Sequence, residues 1–283
     1  MMDLRWRPAD PDLRPFVTIF LERRDCEPLG PALEFPLAVP QVQVMLGAGY
    51  RVEASGLMRP TPRSALWGSC ADVRRAAPAG RLHAFVAVLT FRGAALLLGE
   101  APRPIVGKVL DLETLATFAA SKLADRLVVA PAFSARVELF QELLRGLAAG
   151  RREAADGPIL DLSAAIADHR LSGSVADVAR AAGLSERTLY NRLQRGIGLS
   201  PKRLLRLARL NRLLRSLHPA PWGARPPLDP LVEFFDQAHM HREFTHLTGL
   251  TPRAFAAAKA RTGDRLVHSF LFERPSKADR MTG

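Results

Sequence analysis

From Gln41 to Glu53 apolar and polar residues alternate. Val42 and Val44 are interleaved with Gln41 and Gln43, and the pattern resumes at Tyr50–Glu53 after Gly47-Ala48-Gly49. Period two marks a strand with one buried face, and the glycines between the two runs predict a hairpin turn. Ala84–Phe91 predicts another strand, and Pro60, Pro62, Pro78, Pro102 and Pro104 break up the rest of Met1–Gly107. A small barrel or sandwich fits such short strands. The period changes after Gly107. Leu112–Leu127 and Phe133–Leu147 have helical spacing, and Val137, Phe140, Leu144 and Leu147 form one stripe. Packing on the domain's own core and contact with a second copy both fit that stripe. Gly150–Pro158 is polar and ends in Gly157-Pro158, which predicts a linker.

Six helices are expected beyond it: Ile159–Asp168, Val175–Ala182, Glu186–Arg195, Pro201–Leu217, a weak one near Leu228–Phe234, and Gln237–Leu247. The fold class is therefore α+β, with an N-terminal β-rich domain over residues 1–107, a helical connector and linker over 108–158, an all-α domain over 159–262, and a tail over 263–283.

Composition adds little: 283 residues with 48% hydrophobic suffice for two buried cores. Charge adds more. The chain carries a formal +12, and its excess is local. Residues 1–158 hold 20 basic and 17 acidic side chains, whereas 159–262 hold 16 and 8. Within Glu186–Arg215 there are nine basic residues and one acidic. Such a stretch suits a polyanion. Cys26 and Cys70 are the two cysteines, outside any C-x-x-C spacing, which speaks against a disulfide framework and favours small buried side chains. Met1–Pro8 has no apolar run of the signal-peptide kind, and Ala84–Phe91 is too short to span a bilayer, so the expected compartment is the cytoplasm, without a membrane partner.

Val175–Leu193 carries the strongest local signal. Ala179 is small where two helices must cross, Gly183 suits a positive-φ turn, and Ser185 with Glu186 suits the start of the next helix. Val175, Val178, Ala182, Leu184, Leu189 and Leu193 form an apolar seam, which leaves Arg187, Tyr190, Asn191 and Gln194 on the other side. Arg pairs with guanine, and Asn or Gln with adenine, in the major groove. An ordinary helical hairpin with a polar outer face is the competing reading. Ser200-Pro201 then starts a helix on which Lys202, Arg203, Arg206, Arg209, Arg212 and Arg215 run opposite a leucine face.

In order along the chain, Ala179-x-x-x-Gly183-x-Ser185-x-Arg187-x-Leu189, Gly198-Leu199-Ser200-Pro201, Arg206-x-x-Arg209-Leu210, Phe234-x-Asp236-Gln237-x-His239-x-x-Arg242-x-Phe244 and Gly249-Leu250-Thr251-Pro252 resemble the AraC-type (AraC/XylS) regulators. That resemblance implies two helix-turn-helix units joined by a long helix, with recognition helices in successive major grooves of double-stranded DNA about one turn, ~34 Å, apart. It places Arg187, Tyr190, Asn191 and Gln194, then Ala238, His241 and Arg242, against bases. Arg192, Arg195, Lys202, Arg203 and Arg206 supply phosphate contacts or positive field. It also implies a cupin-like N-terminal domain that senses an effector or dimerises, and it admits RNA polymerase, a small-molecule effector and a homodimer as partners. Two positions depart from the pattern: Asn191 stands where an Arg is usual, and Glu233 replaces the usual Gly before Phe234. Pro226, Pro227 and Pro230 weaken the second support helix.

Other chemistry finds little support. His239, His241 and His246 do not share a helix face at ligand spacing, and a structural role suits His83. No G-x-S-x-G, H-E-x-x-H, Walker loop or dinucleotide fingerprint occurs, so neither an enzyme nor a cofactor is expected. The rival to DNA reading is a protein-interaction or anti-regulator module with a degenerate second helix-turn-helix.

Overall fold

Strands and turns occupy most of the first ninety residues of the computed structural model, which describes residues 2–28, 31–54, 56–70, 72–99, 105–150, 157–216, 237–255, 257, 266–267 and 270–272. The strands are β1 (Met2–Pro8), β2 (Val17–Pro28), β3 (Ala32–Glu34), β4 (Gln41–Met45), β5 (Tyr50–Ala54), β6 (Leu57–Pro60), β7 (Ser64–Trp67), β8 (Arg74–Pro78) and β9 (Arg81–Leu89). Helix α1 (Phe91–Leu98) follows, then β10 (Val109–Asp111), α2 (Ala116–Ser121), α3 (Leu123–Val129) and α4 (Phe133–Ala149). The last third holds α5 (Gly157–Ala167), α6 (Val175–Ala181), α7 (Glu186–Gly196), α8 (Pro201–Ser216), α9 (Gln237–Thr248), β11 (Leu266–Val267) and β12 (Phe270–Phe272). Among the described residues no helix is long and apolar enough to cross a membrane.

Two antiparallel sheets result, ordered β1-β2-β9-β4-β7-β10 and β11-β12-β3-β8-β5-β6. Met45, Ala65, Trp67 and Ala84 of the first sheet pack against Tyr50, Val52 and Ala76 of the second. The opposite face of the first sheet carries Phe20, Val42, Val44, Phe85 and Leu89, and α1 to α4 cover it. Both faces of β4 are therefore buried. Gln41 and Gln43, expected toward solvent, are 2% and 5% exposed and face the second sheet. The predicted hairpin at Gly47-Ala48-Gly49 is also corrected: β4 and β5 lie in different sheets, and this segment carries the chain between them. A solvent-facing strand and a strand covered on both sides can show the same alternation.

The strand expected at Ala84–Phe91 ends at Leu89. The Thr90 side chain accepts a hydrogen bond from the Gly93 N–H (3.0 Å) and opens α1, a helix the strand-like sequence hid. A Cβ on Gly93 would sit 1.9 Å from the Phe16 carbonyl oxygen, so only glycine lets α1 approach this closely. The single helix expected over Leu112–Leu127 is instead a 3-10 turn, α2 and α3, broken at Lys122 with φ of 49°. The breaks put Leu112, Phe118, Leu123 and Leu127 into one core. The α4 stripe packs on that core, with Phe140 5.8 Å from Phe20 and 6.0 Å from Phe85 between ring centroids. Arg136 of α4 reaches back to the Leu127 and Ala130 carbonyls (2.8 and 2.7 Å) and to Glu22 (2.9 Å). His83 meets Glu22 at 3.2 Å, a structural partner. Cys70 is buried, and burial pushes its thiol up to about 12; Cys26, expected inside, is exposed.

A third cluster gathers α5 to α9 around α8, and three residues of the N-terminal half, Phe35, Ala38 and Phe91, belong to it. Asn211 of α8 accepts from the Ala38 N–H and donates to the Pro36 carbonyl, both at 2.7 Å. Arg92 of α1 pairs with Asp161 of α5 (2.6 Å). Strand β12, from the segment expected to be a tail, pairs with β3. The helix expected near Leu228–Phe234 and most of the linker expected at Gly150–Pro158 lie outside the described residues.

Candidate nucleic-acid interface

Local sequence sets α6 and α7 almost unaided. Ser174 and Asp177 form a reciprocal capping box at the start of α6, with the Ser174 N–H bound to the Asp177 carboxylate (3.0 Å) and the Asp177 N–H to the Ser174 hydroxyl (3.2 Å). Gly183 takes φ of 64°, and the Leu184 N–H returns to the Ala179 carbonyl (2.9 Å), which closes the turn. Ser185 then caps α7 by accepting from the Thr188 N–H (3.1 Å). Leu189 and Leu193 are fully buried. The apolar seam and the Ser185 cap match the sequence pattern; the Ser174–Asp177 box is a signal the sequence reading missed, Ser-x-x-Asp being a capping signature.

This seam turns the opposite side of α7 outward. Arg187, Tyr190, Asn191 and Gln194 are all exposed on one stripe, with Tyr190 49% exposed despite its ring. Gln194 lies nearest its own helix end, its amide nitrogen 3.5 Å from the Gly198 carbonyl. Arg192 and Arg195 flank the stripe, exposed and without an ion-pair partner among the described residues. Lys202, in the first turn of α8, is likewise exposed.

On α9, Ala238, His241 and Arg242 are exposed while Phe244 and Leu247 are buried. Thr245 lies on the same outer stripe, three residues beyond Arg242, and the sequence reading missed it although its spacing is visible. Phe244 stacks edge-on with Phe255 (5.4 Å), which in turn meets Phe35 of the N-terminal half (5.5 Å). Glu243 faces inward. Its carboxylate holds Arg206 (2.7 Å) and Arg209 (3.3 Å) and so seats α9 on α8.

The cationic face expected along α8 is therefore mostly covered. Leu204, Leu205, Leu207, Leu210, Leu213 and Leu214 are buried, and so is Arg212; Arg206 and Arg209 are half-buried against Glu243. A central helix wrapped by its neighbours keeps few side chains in solvent, and the arginines near its middle serve as internal partners. Arg203, nearer the end, is exposed but pairs with Asp72 of the N-terminal half (3.1 Å). A cleft of about 560 Å³ lies there, bordered by Asp72, Ser200, Lys202, Arg203 and His246. Of the five side chains expected at phosphates, Arg192, Arg195 and Lys202 are exposed without an ion pair among the described residues, whereas Arg203 and Arg206 each meet a carboxylate.

Residues 178–258 match a family model described as a helix-turn-helix domain. Among solved structures, ToxT from Vibrio cholerae is similar at 8% identity, over 90% of this chain and 97% of that one, with a TM-score of 0.45. Wild-type ToxT from Vibrio cholerae with unsaturated fatty acid bound is similar at 11% identity, over 88% and 96%, with a TM-score of 0.44. The AraC-like transcriptional activator CuxR is similar at 14% identity, over 76% and 86%, with a TM-score of 0.25. No curated protein matches the chain in sequence. Of these findings, the family match alone bears on what the chain does.

Proposed function

We propose that the chain, which carries a helix-turn-helix domain over residues 178–258 and resembles the AraC-type regulators in its ordered motifs, is a cytoplasmic, sequence-specific regulator of transcription that binds double-stranded DNA through α7 and α9. One observation carries this reading: Arg187, Tyr190, Asn191 and Gln194 project together from α7 while Leu189 and Leu193 anchor its other side. These residue types match base edges, and a recognition helix presents its N-terminal part to the major groove. Ala238, His241 and Arg242 do the same from α9. Arg192, Arg195 and Lys202 provide phosphate contacts. Residues 159–262 form the DNA-binding unit, and residues 1–107 with the helices of 108–158 govern it.

Control by a small polar effector is the second part of the proposal. Charged and amide side chains are buried between the two sheets: Arg23 with Asp25 (2.5 Å), Glu34 with the partly buried Arg74 (2.9 Å), and Gln43, whose Oε1 has no hydrogen-bond partner among the described residues. Burial pushes the Glu34 carboxyl above its ordinary value, opposed by Arg74. Phe35, the next residue, packs on Phe255 behind α9. A ligand that rearranged Glu34 and Arg74 would thus act one residue from the DNA-binding core.

The carboxylates on Arg203 and Arg206 favour a second reading, an interaction module without specific DNA binding. Selection of bound sequences from a random duplex pool with the full-length chain separates the two. The regulator reading predicts an enriched motif; no enrichment at low and moderate salt contradicts it.

A further inference from the structure

We propose that a second copy of this chain docks along the outer edge of β1 and extends the first sheet across a two-fold axis centred on Leu4. Strand β1 ends its sheet, with β2 as its one neighbour among the described residues, and its seven residues pair with β2 without a bulge. The side of the strand that remains open follows from the ladder. The Ala9 N–H donates to the Thr18 carbonyl (3.2 Å), and antiparallel pairs alternate, so the amides of Arg7, Arg5 and Asp3 also point at β2. Those of Leu4 and Trp6 point away. Pro8 belongs to this outward set, and its missing N–H leaves the β1–β2 ladder complete.

The α4 stripe, which could have met another copy, is consumed by the chain's own core. No described residue pairs with the outer edge of β1, and its side chains are self-complementary. An antiparallel pairing centred on Leu4 sets Leu4 opposite Leu4 of the second copy, as a hydrogen-bonded pair. Met2 falls opposite Trp6, and Asp3 opposite Arg5, each twice by symmetry. Asp3 and Arg5 are exposed and lie 3.1 Å apart within the strand, so the same ion pair re-forms across the axis. Arg7, on the same face, is already held by Asp10 (2.9 Å) and Glu138 (2.7 Å) and adds no surplus charge. Trp6, 41% exposed in the single chain, gains cover. Shifting the centre by one residue sets Arg5 against Arg5, or Asp3 against Asp3, which like-charge repulsion disfavours. Edge strands usually discourage pairing with charge; here the charges select one register and one partner, the chain itself.

The test is the molar mass of the full chain by light scattering over a range of micromolar concentrations. The wild type is expected at twice the single-chain mass. Asp3→Arg and Arg5→Asp should each fall to the monomer with an unchanged thermal unfolding curve, because both side chains are exposed. An equimolar mixture of these two variants, and the double variant Asp3→Arg/Arg5→Asp, should both return to the dimer. Leu4→Cys should cross-link under mild oxidation, since Cα atoms of a hydrogen-bonded antiparallel pair lie about 5.5 Å apart, within disulfide reach. The wild type, with Cys26 and Cys70 present, should not. A monomeric wild type, single variants that stay dimeric, or a mixture that stays monomeric would each overturn the proposal. None of these results depends on DNA, so the regulator reading stands or falls separately.

Discussion

Asp177 closes the first turn of α6, and its environment makes a pH-dependent prediction. The Ser174 hydroxyl, then the Ser174 N–H and Arg180, hold its carboxyl below the ordinary carboxylate value. A group lowered in this way stabilises the fold above its ordinary value, and that contribution fades as pH falls through the lowered one. Thermal unfolding of wild type and Asp177→Asn should therefore differ most near neutrality and converge in acid; a difference that grows in acid would contradict the capping role. Leu193 is a simpler case. It is fully buried under α7, and Leu193→Ala should cost about 2–5 kcal/mol in urea unfolding. Arg187, exposed on the other side of the same helix, should change DNA discrimination by roughly 1–3 kcal/mol at one base pair while leaving stability unchanged.

Between elements, α9 depends on Glu243. Replacing it with Gln removes the ion pairs to Arg206 and Arg209 and leaves two half-buried guanidinium groups without their anion. A loss of about 2 kcal/mol in unfolding is expected, with faster amide exchange in α9 than in α7. Equal exchange in the two helices would mean that Glu243 does not seat α9. This contact also marks how far the sequence is legible. Helices α6, α7 and the start of α8 are readable because their signals are local: caps, a turn glycine and leucines at helical spacing. The covered arginines of α8 are not, because Glu243 lies 34 and 37 residues further along the chain and Asp72 lies 131 residues before Arg203. The same reason explains the misread turn at Gly47-Ala48-Gly49. Alternation locates a strand, but whether its polar face meets water or a second sheet depends on residues far away. Arg187, Tyr190, Asn191 and Gln194 share a face that their spacing alone reveals; that Arg203 and Arg206 have acidic partners could be learned only from the fold.

At the scale of the whole molecule the two halves share a core. Phe35 and Ala38 sit among the helices, and Asn211 satisfies two backbone groups of the other half. Asn211→Ala should cost about 2 kcal/mol, since a buried N–H and carbonyl lose their partners. Binding of the whole chain to DNA should weaken with salt, each phosphate neutralised adding about −0.9 to the log–log slope, and Lys202→Ala should flatten that slope by one such step. The most direct test uses the sequence selected from random duplex. Affinities of wild type, Arg187→Ala and Arg242→Ala are measured for that site and for versions altered in each half. Arg187→Ala should become indifferent to changes in one half and Arg242→Ala to changes in the other, with the halves about one turn, ~34 Å, apart. Variants that bind and discriminate as the wild type does would contradict DNA reading by α7 and α9.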